Sequence, residues 1–397
     1  MGGVSVSYSG VHQAYQIALA ADEAGLLDRF YCSIYRAPHC WGGRVASIVG
    51  QNRLASRRAE GLSASKVEEY PWPLFWHQVS NLFLADKSND WLIANDRFDR
   101  HVAKRLENTQ SKIFVGVETC AYHSLKTARR LNATTILDCP GVDTGFLDAK
   151  AAEAAAQFNL TTIAKSDSPR MSARKTRELA LADIIVVCSK FQLRTMERHN
   201  IPADRACIIP LWIDHEFWLP PDAPKVASER LRVLFVGKIS VRKGIPYLLE
   251  AARSCPTKVE LTLVGDVNSD VAPLLRNPGR NIRVLSARPK IDLLRIYRAH
   301  DVFVLPSLGD SFGISALEAM LSGLAVIVTE NCGVPVPNES WRVPVMNVDA
   351  IVERLQLYVR DRASCRKDGD LASEFAKQFT PTRYRANMQT FLQRLLG

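Results

Sequence analysis

The chain has 397 residues, of which 47% are hydrophobic and 23% charged, with a formal net charge of +10. That is room for two domains of ordinary soluble composition, and apolar runs such as 184–188 and 302–305 are strand-sized, which excludes a spanning helix. No basic or apolar leader precedes residues 4–7, so a cytoplasmic location is expected; nine scattered cysteines without a C-x-x-C pair predict buried reduced thiols rather than disulfides or zinc.

In chain order, β-rich runs at 4–7, 29–33, 91–94, 112–117, 134–137 and 183–187 alternate with helical patterns such as 11–24 and 121–131. Residues 71–83 are unusually aromatic. A proline-rich polar stretch at 219–229 reads as a linker between residues 1–218 and 230–380. The rhythm then resumes, with strands near 231–236, 260–264, 282–285, 302–305 and 325–328 and helices near 246–254, 291–299 and 314–322. This is the signature of α/β, doubly wound domains. The last segment, 381–397, predicts an amphipathic helix.

Charge is uneven along the chain. Residues 1–222 carry 26 Lys and Arg against 24 Asp and Glu, whereas residues 223–397 carry 25 against 17. A basic half suits nucleic acid, anionic lipid or a phosphorylated small ligand. No interleaved aromatic and basic motif supports nucleic acid.

Two segments favour the small ligand. Residues 234–252 read LFVGKISVRKGIPYLLEAA: a strand ending at Gly237, a basic loop with Lys238, Arg242 and Lys243, and a helix from about Gly244. Glycines allow close backbone approach, and a helix N-terminus attracts anions. An ordinary solvated basic turn has the same composition, and the loop is neither a Walker A sequence nor G-x-G-x-x-G. Residues 302–329 then run from a strand through Pro306–Ser307 and Asp310 into a helix carrying Glu318. Backbone N–H groups at Gly313, Ile314 and Ser315 are predicted to face a phosphate, and the two carboxylates suit a ligand rich in hydroxyls. Helix capping and a solvated Glu318 explain either carboxylate alone, but not the basic loop, the turn and the acidic pair together.

Residues 231–330 thereby resemble the donor-binding domain of glycosyltransferase family 4. Its G-[RK]-x-x-x-x-K-G loop is met by GKISVRKG, and its PS-x-x-[ED]-x-F-G-x-x-x-x-E-A-[ML] segment by PSLGDSFGISALEAM. The resemblance implies a GT-B fold, two Rossmann-like doubly wound domains facing a central cleft. It also implies a nucleoside-diphosphate-sugar donor, UDP- or GDP-linked, with no cofactor or metal required. In that reading Lys238 and Lys243 neutralise the diphosphate, the backbone of Gly313, Ile314 and Ser315 binds phosphate, Glu318 holds the ribose, and Gly237 and Phe312 belong to the donor site. Asp310 holds the transferring sugar and acts at the reacting centre, although the family more often has glutamate there. The region 285–288, with Arg288, lines the base pocket, and Gly265 with Asp266 matches another family feature of the donor site.

The first half resembles the family less closely. Residues 8–11, with Gly10, match the loop that approaches the donor. Residues 174–214 match E-x-x-x-A-D-x-I-x-x-x-S with Glu178, Asp183 and Ser189, for which helix and strand-end hydrogen bonding is an equal reading; Trp212 stands in place of a glycine. The histidine that many members carry near the reacting sugar is replaced by Asp138, with His123 and Glu118 as alternatives. Trp72, Phe75, Trp76 and Phe83 read more readily as core than as an acceptor or membrane-facing ridge. Arg53, Arg57 and Arg58 form either a solvated face or a contact for a phosphorylated acceptor. The final helix is expected to cross back to the first domain.

The function implied is retaining transfer of a sugar, of hexosyltransferase type, to a hydroxyl of a saccharide or glycoconjugate. Alternatives are another GT-B enzyme, an epimerase or hydrolase, or a nucleotide-sugar-binding protein without transferase activity. Peripheral membrane association gains little support from a first half that is nearly neutral.

Overall fold

A computed structural model describes the chain except for residues 1–2, 12, 38–39, 41–56, 74, 78–89, 161–164 and 221–227. Its strands are short runs of branched and aromatic residues, and those central to each sheet are buried on both faces: IFVGV, VFVL and AVIVT are buried throughout. Continuous rather than alternating burial is what a parallel sheet covered by helices on both sides requires.

The first sheet holds β1 (Val4–Tyr8), β2 (Leu27–Cys32), β3 (Val67–Glu69), β4 (Ile113–Val117), β5 (Thr134–Asp138), β6 (Ile184–Val187) and β7 (Ala206–Ile208). They lie in the order β3-β2-β1-β4-β5-β6-β7, and all pairs are parallel. Around them pack α1 (Ala14–Glu23), α2 (Asp90–Leu106), α3 (Tyr122–Arg130), α4 (Thr144–Gln157), α5 (Pro169–Leu181) and α6 (Lys190–Thr195). The short α7 (His215–Trp218) leads towards the second domain.

The second sheet holds β8 (Leu231–Val236), β9 (Val259–Val264), β10 (Ile282–Leu285), β11 (Val302–Leu305), β12 (Ala325–Thr329) and β13 (Arg342–Val343), in the order β10-β9-β8-β11-β12-β13 and again all parallel. Its helices are α8 (Ile245–Arg253), α9 (Lys290–Arg298), α10 (Ile314–Leu321), α11 (Val348–Arg360) and α12 (Arg362–Ala376). In each sheet the strand order reverses at one point, between β1 and β4 and between β8 and β11, and such switch points open a crevice at the carboxyl ends of the strands. The fold is the expected pair of Rossmann-like domains in a GT-B arrangement.

One predicted strand is a helix: residues 91–94 open α2. Ala94, Phe98, Val102 and Leu106 are buried at a spacing of four, so the apolar run WLIA continues into a helical stripe. A run that short carries no period of its own. The aromatic segment also differs from expectation, because Trp72, Phe75 and Trp76 are 55%, 51% and 58% exposed rather than core. Phe83, Arg53 and most of the 219–229 linker lie outside the described residues.

The last helix, α13 (Pro381–Leu396), starts at a Thr380 cap and buries Tyr384, Met388, Phe391 and Leu392. These join the core of the first domain, beside Val4, Val6, Ala18 and Leu19, and Arg385 pairs with Glu23 of α1 at 3.0 Å. The preceding α12 packs in the second domain's core through Ala372 and Ala376. All nine cysteines are free, seven of them buried. Among the described residues no helix is long and apolar enough to cross a membrane.

Candidate functional site

The carboxyl ends of β8 and β9 meet at Gly237 and Gly265. A Cβ on Gly265 would sit 1.9 Å from the Gly237 carbonyl oxygen, at a φ of +148°, so only glycine allows this approach. The two glycines, with exposed Lys238 and Arg288 and with Asp266, line a cavity of about 410 Å³. One edge of this part of the site is therefore cationic and close to bare backbone.

The basic loop continues as a single helical turn, Val241–Lys243, closed by Gly244 in the left-handed region at φ +71°. A Cβ there would lie 1.7 Å from the Pro306 carbonyl oxygen. The close packing sets Lys243 beside the turn that follows β11. Its ammonium is ion-paired and hydrogen-bonded to Asp310 Oδ2, and Asp310 Oδ1 accepts the Gly313 N–H at 2.8 Å. Burial opposes the charge on Lys243, but the adjacent Asp310 outweighs it and raises the lysine's pKa.

Of the three backbone donors predicted at the α10 N-terminus, Gly313 is thus already engaged by Asp310, while Ile314 and Ser315 have no protein acceptor among the described residues. Phe312 is buried in the core beneath the turn. Glu318, one turn further along α10, accepts a hydrogen bond from the Tyr297 hydroxyl at 2.8 Å. Burial lifts its carboxyl to about 7, against the pull of Tyr297 and Lys290.

Across the cleft, a second cavity of about 370 Å³ brings Lys243, Gly309, Asp310 and Ser311 together with Tyr8, Glu118, Thr119, Pro140 and Lys175 of the first domain. A third, of about 490 Å³, joins Asp310–Ile314 to Val11, Gln13, Arg58 and Trp212. The β1 loop therefore faces the 310–314 turn, with Gly10 buried between Tyr8 and Val11. The domains are bonded at Ser311: its carbonyl accepts from Ser189 Oγ at 2.6 Å, and its hydroxyl donates to the Pro140 carbonyl at 3.0 Å. Lys243 and Lys238, paired in the sequence reading, line different cavities.

Asp138 ends β5, 4% exposed, paired in the sheet with Val117 and Val186; its carbonyl accepts the N–H of cavity-lining Glu118 at 3.0 Å. Burial and then the Glu118 charge raise its carboxyl to about 7. Glu118 is itself raised by burial, although Lys175 at 3.4 Å opposes this. His123 is elsewhere: its Nε2 lies 2.9 Å from Asp96 in a separate pocket lined by α2, α3 and α5. Glu178 receives the Thr119 and Ala121 N–H groups and pairs with Arg174, and Asp183 bonds Thr135, so both brace the backbone. Lys175, Thr119 and Ser311 escaped the sequence reading. Lys175 sits three residues before Glu178 in the RKTRE segment, the one signal that pointed near it. Among the described residues no group of three or more His, Cys, Asp or Glu is placed to hold a metal.

Two facing Rossmann-like domains, with cations, bare backbone and carboxylates at the carboxyl ends of the second sheet, define a GT-B protein. Solved structures share the fold along the whole chain: sucrose-phosphate synthase from Thermosynechococcus elongatus has a TM-score of 0.65 at 17% identity, covering 100% of this chain and 99% of that one. Anabaena HepE in complex with UDP has a TM-score of 0.64 at 13% identity, covering 99% and 100%. Residues 230–361, within the second domain, match the family model described as glycosyl transferases group 1. The D-inositol 3-phosphate glycosyltransferase of Corynebacterium glutamicum (strain R) is 28% identical over 199 residues, 43% of this chain and 47% of that protein. The protein of the same name from Mycobacterium sp. (strain KMS) is 29% identical over 192 residues, 44% of each. The chain thus spans about half the length of the curated relatives it matches.

Proposed function

We propose that the protein is a retaining glycosyltransferase that moves a sugar from a nucleoside-diphosphate donor, UDP- or GDP-linked, to a hydroxyl of a saccharide or glycoconjugate. The observation that carries this is the Lys243–Asp310 pair at the mouth of the interdomain cleft, flanked by the Lys238 and Arg288 cavity and by Glu318. A phosphate oxygen is a natural partner for Lys243 and a sugar hydroxyl for Asp310, so a donor takes up both halves of the pair. Lys238 meets the diphosphate from the opposite side, Arg288 borders the base, and Glu318 accepts from the ribose. Gly10 and its loop close over the donor from the first domain. The complexes of HepE with UDP and with UDP-glucose, in the same fold, favour a uridine donor.

Chemistry then rests on position and electrostatics. The acceptor hydroxyl attacks the anomeric carbon from the face the leaving group departs; the C–O bond to the diphosphate breaks, and a departing phosphate oxygen takes the proton. Lys238, Lys243 and the Ile314 and Ser315 N–H groups stabilise the charge that develops on the diphosphate. Of the three N-domain candidates, Glu118 lines the cleft cavity, Asp138 is buried next to it, and His123 lines another pocket; Asp138, with Glu118 beside it, is assigned to the reacting side.

Titration calorimetry with UDP-glucose and GDP-mannose, followed by product analysis with a saccharide acceptor, tests the proposal. Wild type is expected to bind one donor, and the Glu318→Ala and Lys238→Ala variants to lose about ten-fold or more in affinity, the worth of one charge-assisted contact. Wild-type affinity in both variants would remove the site assignment. Donor binding without transfer would leave a binding protein.

A further inference from the structure

Five arginines converge on a pocket of about 540 Å³ in the first domain: Arg97 and Arg100 from α2, and Arg170, Arg174 and Arg177 from α5. Tyr122 and His123, at the start of α3, also line it. Three carboxylates answer these charges. Asp96 lines the pocket and binds Arg100 and Arg174, while Asp99 and Glu178 are buried behind Arg174 and bind it at 2.7 and 3.0 Å. Asp99 also caps α3 by accepting the His123 and Ser124 N–H groups. The acidic groups are therefore spent on Arg174, Arg100 and a helix end. Arg97 and Arg170 have no ion pair among the described residues, and Arg177 has only the Tyr122 ring, 6.0 Å away. Five guanidiniums against three carboxylates leave the pocket net positive, a field that favours a bound anion, and guanidinium forks match the oxygens of phosphate and carboxylate.

The pocket adjoins the cleft. Glu118 and Thr119 line the interdomain cavity, and Tyr122 and His123 line this one, a separation of at most about 11 Å for three extended residues. On α5 the boundary is a single step, with Lys175 facing the cleft cavity and Arg174 the arginine pocket.

We propose that this pocket binds the acidic group, a phosphate or a carboxylate, of an anionic saccharide acceptor. The acceptor role rests on the glycosyltransferase reading; anion binding by the pocket does not. Ligand-observed NMR with glucose 6-phosphate, glucuronic acid and neutral glucose, each with and without saturating UDP, tests it on wild type and on the surface variant Arg97→Ala/Arg170→Ala. Both acidic sugars are expected to bind with UDP present, glucose not, and the double variant to lose about ten-fold or more in affinity while UDP affinity stays unchanged. Glucose 6-phosphate alone binding, in competition with inorganic phosphate, narrows the group to phosphate and supports the pocket. Acidic sugars binding no better than glucose, or equally well to the double variant, would overturn the proposal. So would retention on phosphatidylglycerol vesicles, lost in the double variant, when neither soluble acid binds, because the pocket would then be a membrane contact. Failure of wild type to bind UDP counts against the donor site alone, since the arms without UDP still answer for the pocket.

Discussion

Glu318 carries a pH dependence whose sign follows from its surroundings. Burial lifts its carboxyl from 4.5 to about 7, so the folded chain holds a proton there that the unfolded chain releases. Its contribution to stability is best below about 4.5 and is lost as pH rises through 7. Ligand binding runs the other way, because ribose hydroxyls donate best to the ionised form. Affinity for UDP-glucose, whose diphosphate does not titrate in this range, is expected to rise between pH 6 and 8, by up to about ten-fold per unit below 7. Calorimetry across that range checks it, and Glu318→Gln should bind weakly with no such slope. A slope that survives in the glutamine variant would assign the titration to another group. The eight-residue spacing of Asp310 and Glu318 was legible because one continuous turn and helix carries both. Lys175, Thr119 and Ser311 were not, since nothing in their own segments records which residues stand opposite. The same limit applies to His123, which lies in the arginine pocket while its neighbours Glu118 and Thr119 face the cleft.

At the scale of elements, the basic loop works because Gly244 lets the chain turn against β11. Gly244→Ala places a methyl 1.7 Å from a carbonyl oxygen at positive φ. It should cost roughly 3 kcal/mol or more, the range of severe backbone strain, read as a lower urea midpoint with weakened donor binding. Gly141→Ala, where a Cβ meets nothing within 4 Å, is the control and should be neutral. Equal midpoints for the two variants would mean that the loop yields without cost. The central strands β11 and β12 were readable as apolar runs of four residues, VFVL and AVIV, since burial on both faces leaves no polar interruption. The same reasoning misread residues 91–94, where an equally short apolar run belongs to α2. The stripe Ala94, Phe98, Val102 and Leu106 decides it, and that stripe becomes visible only when the window extends past Arg100.

For the whole molecule, α13 is the strap between domains, leaving the second and burying four large side chains in the first. Phe391→Ala should destabilise the first domain by roughly 3–5 kcal/mol, the cost of truncating a buried aromatic, and a chain ending at residue 380 should lose more. Urea unfolding followed by limited proteolysis of the first domain measures both. An unchanged midpoint in the truncated chain would show the helix to be dispensable. The sequence alone determined the layered α/β architecture and the donor-side loop, because hydrophobic period, glycine placement and contiguous motifs are local properties of the chain. Only the tertiary structure decided that Lys243 faces Asp310, that Ser311 ties the turn to Ser189 and Pro140, and that arginines from α2 and α5 share one pocket. Those arrangements arise where parallel strands separated along the chain end side by side, and no local pattern encodes which ends will meet.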